Sequence, residues 1–169
     1  MKHAGALRID HVMGLARIFW VAAGRPASEG AYVSYPLDDL LGIVALESQR
    51  NHCLVIGEDL GTVPEGFRPR LAAADFLAYR PFLFERTDDG GFRPPGAYER
   101  KALVAASTHD LPTLAGLWQG LDIDRRSELG LFPTEALRER VIVERAQDRA
   151  RLLVALERDG LLPACTGIP

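Results

Sequence analysis

Short apolar runs recur along this chain, each followed by a polar turn and then a stretch with helical spacing. Residues 6–9 predict a short buried strand. Residues 12–22, mostly apolar, predict a helix after it. Residues 24–36 are rich in Gly, Pro and Ser yet carry Tyr32 and Tyr35. They predict a loop, and loops of this length inside a compact domain are usually functional or disordered. Next, Leu37, Leu40, Leu41 and Val44 fall at i, i+3, i+4 and i+7, the spacing of one helix face. Asp38 or Asp39 suits the N-cap, and that helix runs out near Asn51.

Residues 53–57 form the second predicted strand, followed by a turn over 61–66. A helix starts at Pro64 or Glu65, since Pro fits a first helical turn. Residues 77–85 predict a third strand, weakened by Pro81. Residues 88–95 read as a plain loop and 103–108 as the fourth strand. Helices follow over 113–119, around 124–129 and over 134–158, the last with Thr134 as its N-cap and Gly160 as its stop. Strands that are apolar throughout, alternating with helices, predict a parallel sheet covered on both faces.

Composition narrows the class without changing this picture. The chain has 169 residues, 47% hydrophobic and 25% charged, which fits one soluble globular domain or part of a larger one. The net charge is −3 with acids and bases intermixed, so no basic face points to nucleic acid. Cys53 and Cys165 alone make neither a disulfide framework nor a metal knot, which favours a reducing compartment. No apolar stretch approaches the length of a bilayer crossing and no secretory leader pattern is present, so the cytoplasm is the expected location. A first strand only five residues after Met1, and a tail over 163–169 without an element, read as a segment cut from something longer.

Candidate chemistry gathers where the apolar runs stop. Asp10, Glu58 and Asp110 each follow such a run, about fifty residues apart. A carboxylate just past a buried parallel strand lies on the functional rim of an α/β barrel, and paired carboxylates are the usual means of breaking a glycosidic bond. Arg8 lies two residues before Asp10 and shares its strand face, a setting that suits a charged nucleophile. The same pair also serves simply to fix a strand. Glu58 follows Leu54-Val55-Ile56, whose apolar surroundings suit a general acid, while Asp59 suits a turn or capping role. Asp110 fits either stabilisation of developing positive charge or the N-cap of a helix starting near Pro112. His109 fits either a hydrogen bond to a sugar hydroxyl or a satisfied core histidine.

Four segments carry a resemblance. Leu7-Arg8-Ile9-Asp10-His11-Val-Met-Gly14-Leu15, Gly30-Ala-Tyr32-Val33, Val55-Ile-Gly57-Glu58-Asp59-Leu60-Gly61-Thr62-Val63-Pro64 and Thr108-His109-Asp110-Leu111-Pro112-Thr113 resemble the 4-α-glucanotransferases, the amylomaltase or disproportionating-enzyme family, and in particular its bacterial maltodextrin-metabolising branch. The resemblance implies an α/β fold, part of a (β/α)₈ TIM barrel of the α-amylase superfamily. Residues 1–169 would supply about strands four to seven with their helices, without the N-terminal domain, the first three strands or the last. It implies Asp10 as nucleophile, Glu58 as general acid/base and Asp110 as transition-state stabiliser. Arg8, His109 and Tyr32 become substrate-site residues. The implied partners are α-1,4-glucans and maltooligosaccharides, with no metal or organic cofactor. The implied reaction is transfer by a retaining double displacement, with carboxyl groups of Asp10 and Glu58 roughly 5–5.5 Å apart. An α-amylase-like hydrolase and a non-catalytic glucan-binding fragment are the alternative readings.

Overall fold

The computed structural model describes residues 1–163, so Cys165 lies outside the described residues. The chain divides into two units, one of Met1–Tyr79 with Glu99–Leu103, the other of Arg80–Tyr98 with Val104 onward.

Strands β1 (Ala6–Ile9), β4 (Leu54–Gly57), β5 (Leu77–Pro81) and β6 (Ala102–Ala105) form one sheet in that order, with β1, β4 and residues 77–79 and 102–103 in the first unit. β1 pairs with β4 in parallel, from Ala6 opposite Leu54 to Ile9 opposite Gly57. β4 pairs with β5 in parallel, with Ile56 opposite Leu77. β5 stops at Pro81, short of the expected residue 85, because Pro cannot continue the ladder and residues 82–84 turn into a 3₁₀ helix.

Alternation along these strands separates two faces. Ile9 and Val55 turn toward a core completed by Val12, Met13, Leu37, Leu41, Phe67, Leu71 and Phe76. Leu37 and Leu41 belong to α1 (Leu37–Asn51), Phe67 and Leu71 to α2 (Phe67–Ala73), so each helix contributes apolar residues one turn apart. The opposite face carries Arg8, Ile56 and Tyr79. Burial on both faces does not extend over the whole sheet, because Leu7, Leu54, Leu103 and Val104 are exposed.

The expected helix over 12–22 is instead a 3₁₀ turn, Val12–Leu15, followed by strand β2 (Arg17–Trp20). The expected loop after it contains strand β3 (Ala31–Ser34), which pairs antiparallel with β2 to make a hairpin. The Ile18-Phe19-Trp20-Val21 run is β-branched and aromatic, so its strand preference outweighs a periodicity too short to decide. At α1 the N-cap is Pro36, not Asp38 or Asp39. The Pro36 carbonyl already accepts the Leu40 N–H, and the Asp38 carboxylate pairs with Arg70 instead. α2 starts two to three residues later than expected, after Gly66 in the left-handed region.

The second unit contains α3 (Leu114–Gln119), α4 (Leu121–Glu128) and α5 (Glu135–Arg158). Thr134 caps α5 as expected, its Oγ1 accepting the Leu137 N–H at 3.2 Å. α4 begins at Leu121, three residues early, because Gly120 at φ 85° turns the chain directly out of α3. The 88–95 loop is tied at its base by a bridge between Arg86 and Phe92. Arg145 of α5 reaches both carboxylate oxygens of Asp122 on α4 at 2.7 and 2.8 Å and the Leu117 carbonyl at 2.9 Å. These bonds hold the Asp122 carboxyl below the usual carboxylate range.

Candidate active site

In the first unit the catalytic candidates sit one step past the last paired residues of β1 and β4. The Glu58 N–H donates to the Ile9 carbonyl at 3.0 Å, extending the ladder, and the Val12 N–H donates to the Glu58 carbonyl at 3.0 Å. Asp10 and Glu58 therefore stand at the same level on neighbouring parallel strands. Asp10 is 59% exposed and Glu58 8%, so one acid is open to solvent and the other is sheltered.

Arg8 and Asp10 share a strand face, and Arg8 Nη2 lies 2.8 Å from Asp10 Oδ1. The Arg8 guanidinium also lies over the ring of Tyr79, 4.6 Å from its centroid. Its Nε is buried with no hydrogen-bond partner among the described residues.

The surroundings of Glu58 differ from the apolar setting expected for it. Oε2 accepts the His11 N–H and Oε1 accepts the Leu60 N–H, each at 2.7 Å. His11 reaches this position from a left-handed backbone at φ 44°, a conformation few residues other than Gly adopt. The chain turns sharply there, which presents its N–H to the neighbouring strand end. Gly57 lies below this turn, where a Cβ would approach Val12 Cγ1 to 3.3 Å. Asp59 is 2% exposed and turned away from solvent, with Arg68 Nε donating to its Oδ2 at 2.6 Å and Arg68 Nη2 donating to its carbonyl at 3.0 Å. It serves the turn, in keeping with one of the two readings above.

Tyr32 is displayed on β3 of the hairpin. Its ring meets Phe19 edge-on at 5.2 Å, and the Arg17 guanidinium lies 4.5 Å from its centroid. Trp20 is 59% exposed, and its Nε1–H donates to Tyr35 Oη at 3.1 Å. Phe19 and Trp20 were hidden from sequence reasoning by the helix expected over 12–22. The signal that exposes them is an aromatic pair facing Gly30-Ala31 across a turn. Gly30 is required there, since a Cβ would lie 2.5 Å from the Phe19 ring.

Asp110 and His109 belong to the second unit, where His109 Nε2 lies 3.4 Å from Asp110 Oδ2. The Ser107 hydroxyl donates to the Pro112 carbonyl at 2.9 Å, and the Asp110 N–H donates to Thr108 Oγ1 at 3.2 Å, folding the segment into a tight turn. The cap of α3 is Thr113, whose Oγ1 accepts the Gly116 N–H at 3.1 Å, so Asp110 is not the helix cap. Asp110 and His109 are both well exposed. Among the described residues, no group of three or more His, Cys, Asp or Glu is placed to hold a metal ion. No helix is long and apolar enough to cross a membrane.

The family model described as 4-alpha-glucanotransferase matches residues 1–166. The 4-alpha-glucanotransferase of Haemophilus influenzae is 42% identical over 163 residues, covering 96% of this chain and 23% of that protein. That of Mycobacterium tuberculosis is 41% identical over 168 residues, with the same coverage. The crystal structure of amylomaltase from Corynebacterium glutamicum superimposes with a TM-score of 0.86 at 34% identity, over 96% of this chain and 23% of that one. Amylomaltase from Streptococcus agalactiae in complex with acarbose aligns over 72% of this chain with a TM-score of 0.54 at 24% identity, a likeness of fold alone. The chain thus spans about a quarter of the length of the relatives it matches. Its fold is the α/β class anticipated, part of a (β/α)₈ barrel. With the family model matching nearly all of its length, the chain belongs to the 4-alpha-glucanotransferase family.

Proposed function

We propose that the protein carrying this chain is a 4-α-glucanotransferase that moves α-1,4-glucan segments between maltooligosaccharides by a retaining double displacement. The observation that carries the reading is the register of β1 and β4, which sets Asp10 and Glu58 side by side at two parallel strand ends, with Arg8 against Asp10.

In this reading an Asp10 carboxylate oxygen attacks the anomeric carbon of the donor while the glycosidic bond breaks. Glu58 delivers its proton to the departing oxygen, leaving a covalent glycosyl–Asp10 intermediate. The 4-hydroxyl of an acceptor sugar then attacks the same carbon and gives its proton to Glu58, and the Asp10 ester bond breaks. Water is replaced by a sugar in the second step, so glucan length is redistributed and no bond is lost to hydrolysis. One backbone N–H bonds each Glu58 oxygen, which leaves a free lone-pair site on each, so a protonated Glu58 can donate its O–H to the glycosidic oxygen with both backbone bonds in place. Asp110 is assigned to stabilise the positive charge that develops on the sugar ring, and His109 to bond a ring hydroxyl. Tyr32 supplies a stacking surface. α-Glucans are donor and acceptor, no step as written calls on a metal or cofactor, and the cytoplasm is the matching compartment.

Incubation of the complete protein with maltotriose tests the proposal. Products longer than the substrate indicate transfer. Maltose and glucose alone mark a hydrolase, and binding without turnover marks a glucan-binding protein; either result refutes the assignment.

A further inference from the structure

We propose that Tyr79 is a positioning residue for the nucleophile: its ring face fixes the Arg8 guanidinium, and Arg8 in turn fixes the Asp10 carboxylate. The inference rests on the functional reading of Asp10 above, but its geometry stands apart from it.

Three observations meet here. Tyr79 is 5% exposed and lies on β5, two strands from Arg8 and two residues past Leu77, which pairs with the Ile56 that stands opposite Arg8. Its ring is therefore locked by the sheet, and the guanidinium rests 4.6 Å from its centroid. Arg8 puts Nη2 on Asp10 at 2.8 Å, while its Nε is buried with no hydrogen-bond partner among the described residues. An orphaned donor inside a sheltered guanidinium is disfavoured unless another attraction holds the group in place. The electron-rich ring face is that attraction. A long side chain that points out of a strand has several rotamers, and Asp10 is 59% exposed, so a fixed Arg8 helps to set where its carboxylate stands. The ring removes the freedom of Arg8, and the ion pair passes that restraint to the carboxylate. A nucleophile must be held within a fraction of an ångström of the attacked carbon, so this chain of contacts acts on the rate of attack more than on binding.

The test has two arms. In the 169-residue chain, the Arg8 Nε–H resonance is expected to be shifted upfield by the ring and to exchange slowly. A wild-type signal at the ordinary arginine position overturns the proposal, even if no Tyr79 variant folds. In Tyr79→Leu the ring shift should vanish and the Asp10 carboxyl carbon signal should move, whereas Tyr79→Phe keeps both.

In the complete protein, Tyr79→Leu is expected to lower kcat for maltotriose roughly 10- to 100-fold, with KM within about twofold. Tyr79→Phe should restore at least half of the wild-type kcat, because the ring face and not the hydroxyl meets the guanidinium. A Leu variant with unchanged kcat, or a Phe variant as impaired as Leu, overturns the assignment. If the wild-type protein transfers nothing, the functional reading of Asp10 fails. The resonance arm then decides by itself whether the ring holds Arg8 and Asp10.

Discussion

Replacing Arg68 by Met tests how the Glu58 turn is held. The substitution keeps most of the apolar stem and removes the guanidinium that donates to Asp59 Oδ2 at 2.6 Å and to the Asp59 carbonyl at 3.0 Å. An ion pair exposed at both ends is worth about 0–1 kcal/mol. Removing one partner of a fully buried pair costs about 3–5 kcal/mol. Here Asp59 is 2% exposed and Arg68 54%, and Asp59 keeps a further interaction, so the loss should fall between these limits at about 2 kcal/mol. With a urea slope of about 2 kcal/mol per molar, the midpoint should drop by about 1 M. Unfolding of the chain followed by circular dichroism measures this directly. Asp59→Asn and the double variant complete a cycle, and the two single losses should overlap by about 1 kcal/mol or more. A loss under about 0.5 kcal/mol for Arg68→Met, or strict additivity in the cycle, refutes the view that this pair clamps the turn.

Asp10→Asn in the complete protein should reduce transfer from maltotriose by at least about 10³-fold, since the amide cannot form the ester intermediate; product chromatography showing near-normal oligomers would falsify the nucleophile assignment. Gly30→Ala places a methyl group into the Phe19 ring, which should cost about 1–3 kcal/mol and separate the Phe19 and Tyr32 rings, seen as lost cross-peaks between them. Retained ring contacts would show that the hairpin absorbs the methyl elsewhere. Asp122→Asn should destabilise the second unit by about 1–2 kcal/mol at neutral pH, as two charge-assisted bonds to a half-sheltered Arg145 weaken. The Asp122 carboxyl is lowered in the folded state by Arg145, so its contribution is complete above its unfolded value of about 3.9 and is lost as pH falls through the folded value. Unfolding curves of the two proteins should therefore differ by a constant amount near neutrality and converge in acid; a gap that persists in strong acid refutes the linkage.

The parallel sheet and the long helices were legible because their signals are redundant. In α5, an N-cap at Thr134, a helical run and a stop at Gly160 agree along 24 residues. Strand ends at Asp10 and Glu58 were equally legible, since apolar runs stop there. The hairpin was not. Residues 12–22 are mostly apolar but broken by Arg17, and whether they become helix or strand depends on pairing with Ala31–Ser34, a contact that no local pattern encodes. The environment of Glu58 was illegible for a related reason. Its carboxylate is surrounded by the N–H groups of His11 and Leu60, and side-chain identity says nothing about where backbone donors point. The alternative capping role of Asp110 fell to Thr113, because α3 begins at Leu114 and not near Pro112, which leaves the acid too far back to reach its first turn.

The level pairing of Ile9 with Gly57 has a consequence for heredity as much as for chemistry. Neighbouring parallel strands stand about 4.8 Å apart whatever their side chains, and retention of anomeric configuration calls for carboxyl groups about 5 Å apart. On the proposed assignment, the hydrogen-bonded repeat of the backbone puts the two acids on adjacent strand ends, and their side chains set the final carboxyl spacing. Nearly fifty residues of hairpin, helix and turn lie between the two acids, and insertions or drift within them leave that separation untouched. What they do alter is the surface offered to the sugar. The segment can therefore diversify in glucan preference while the reaction it serves stays the same.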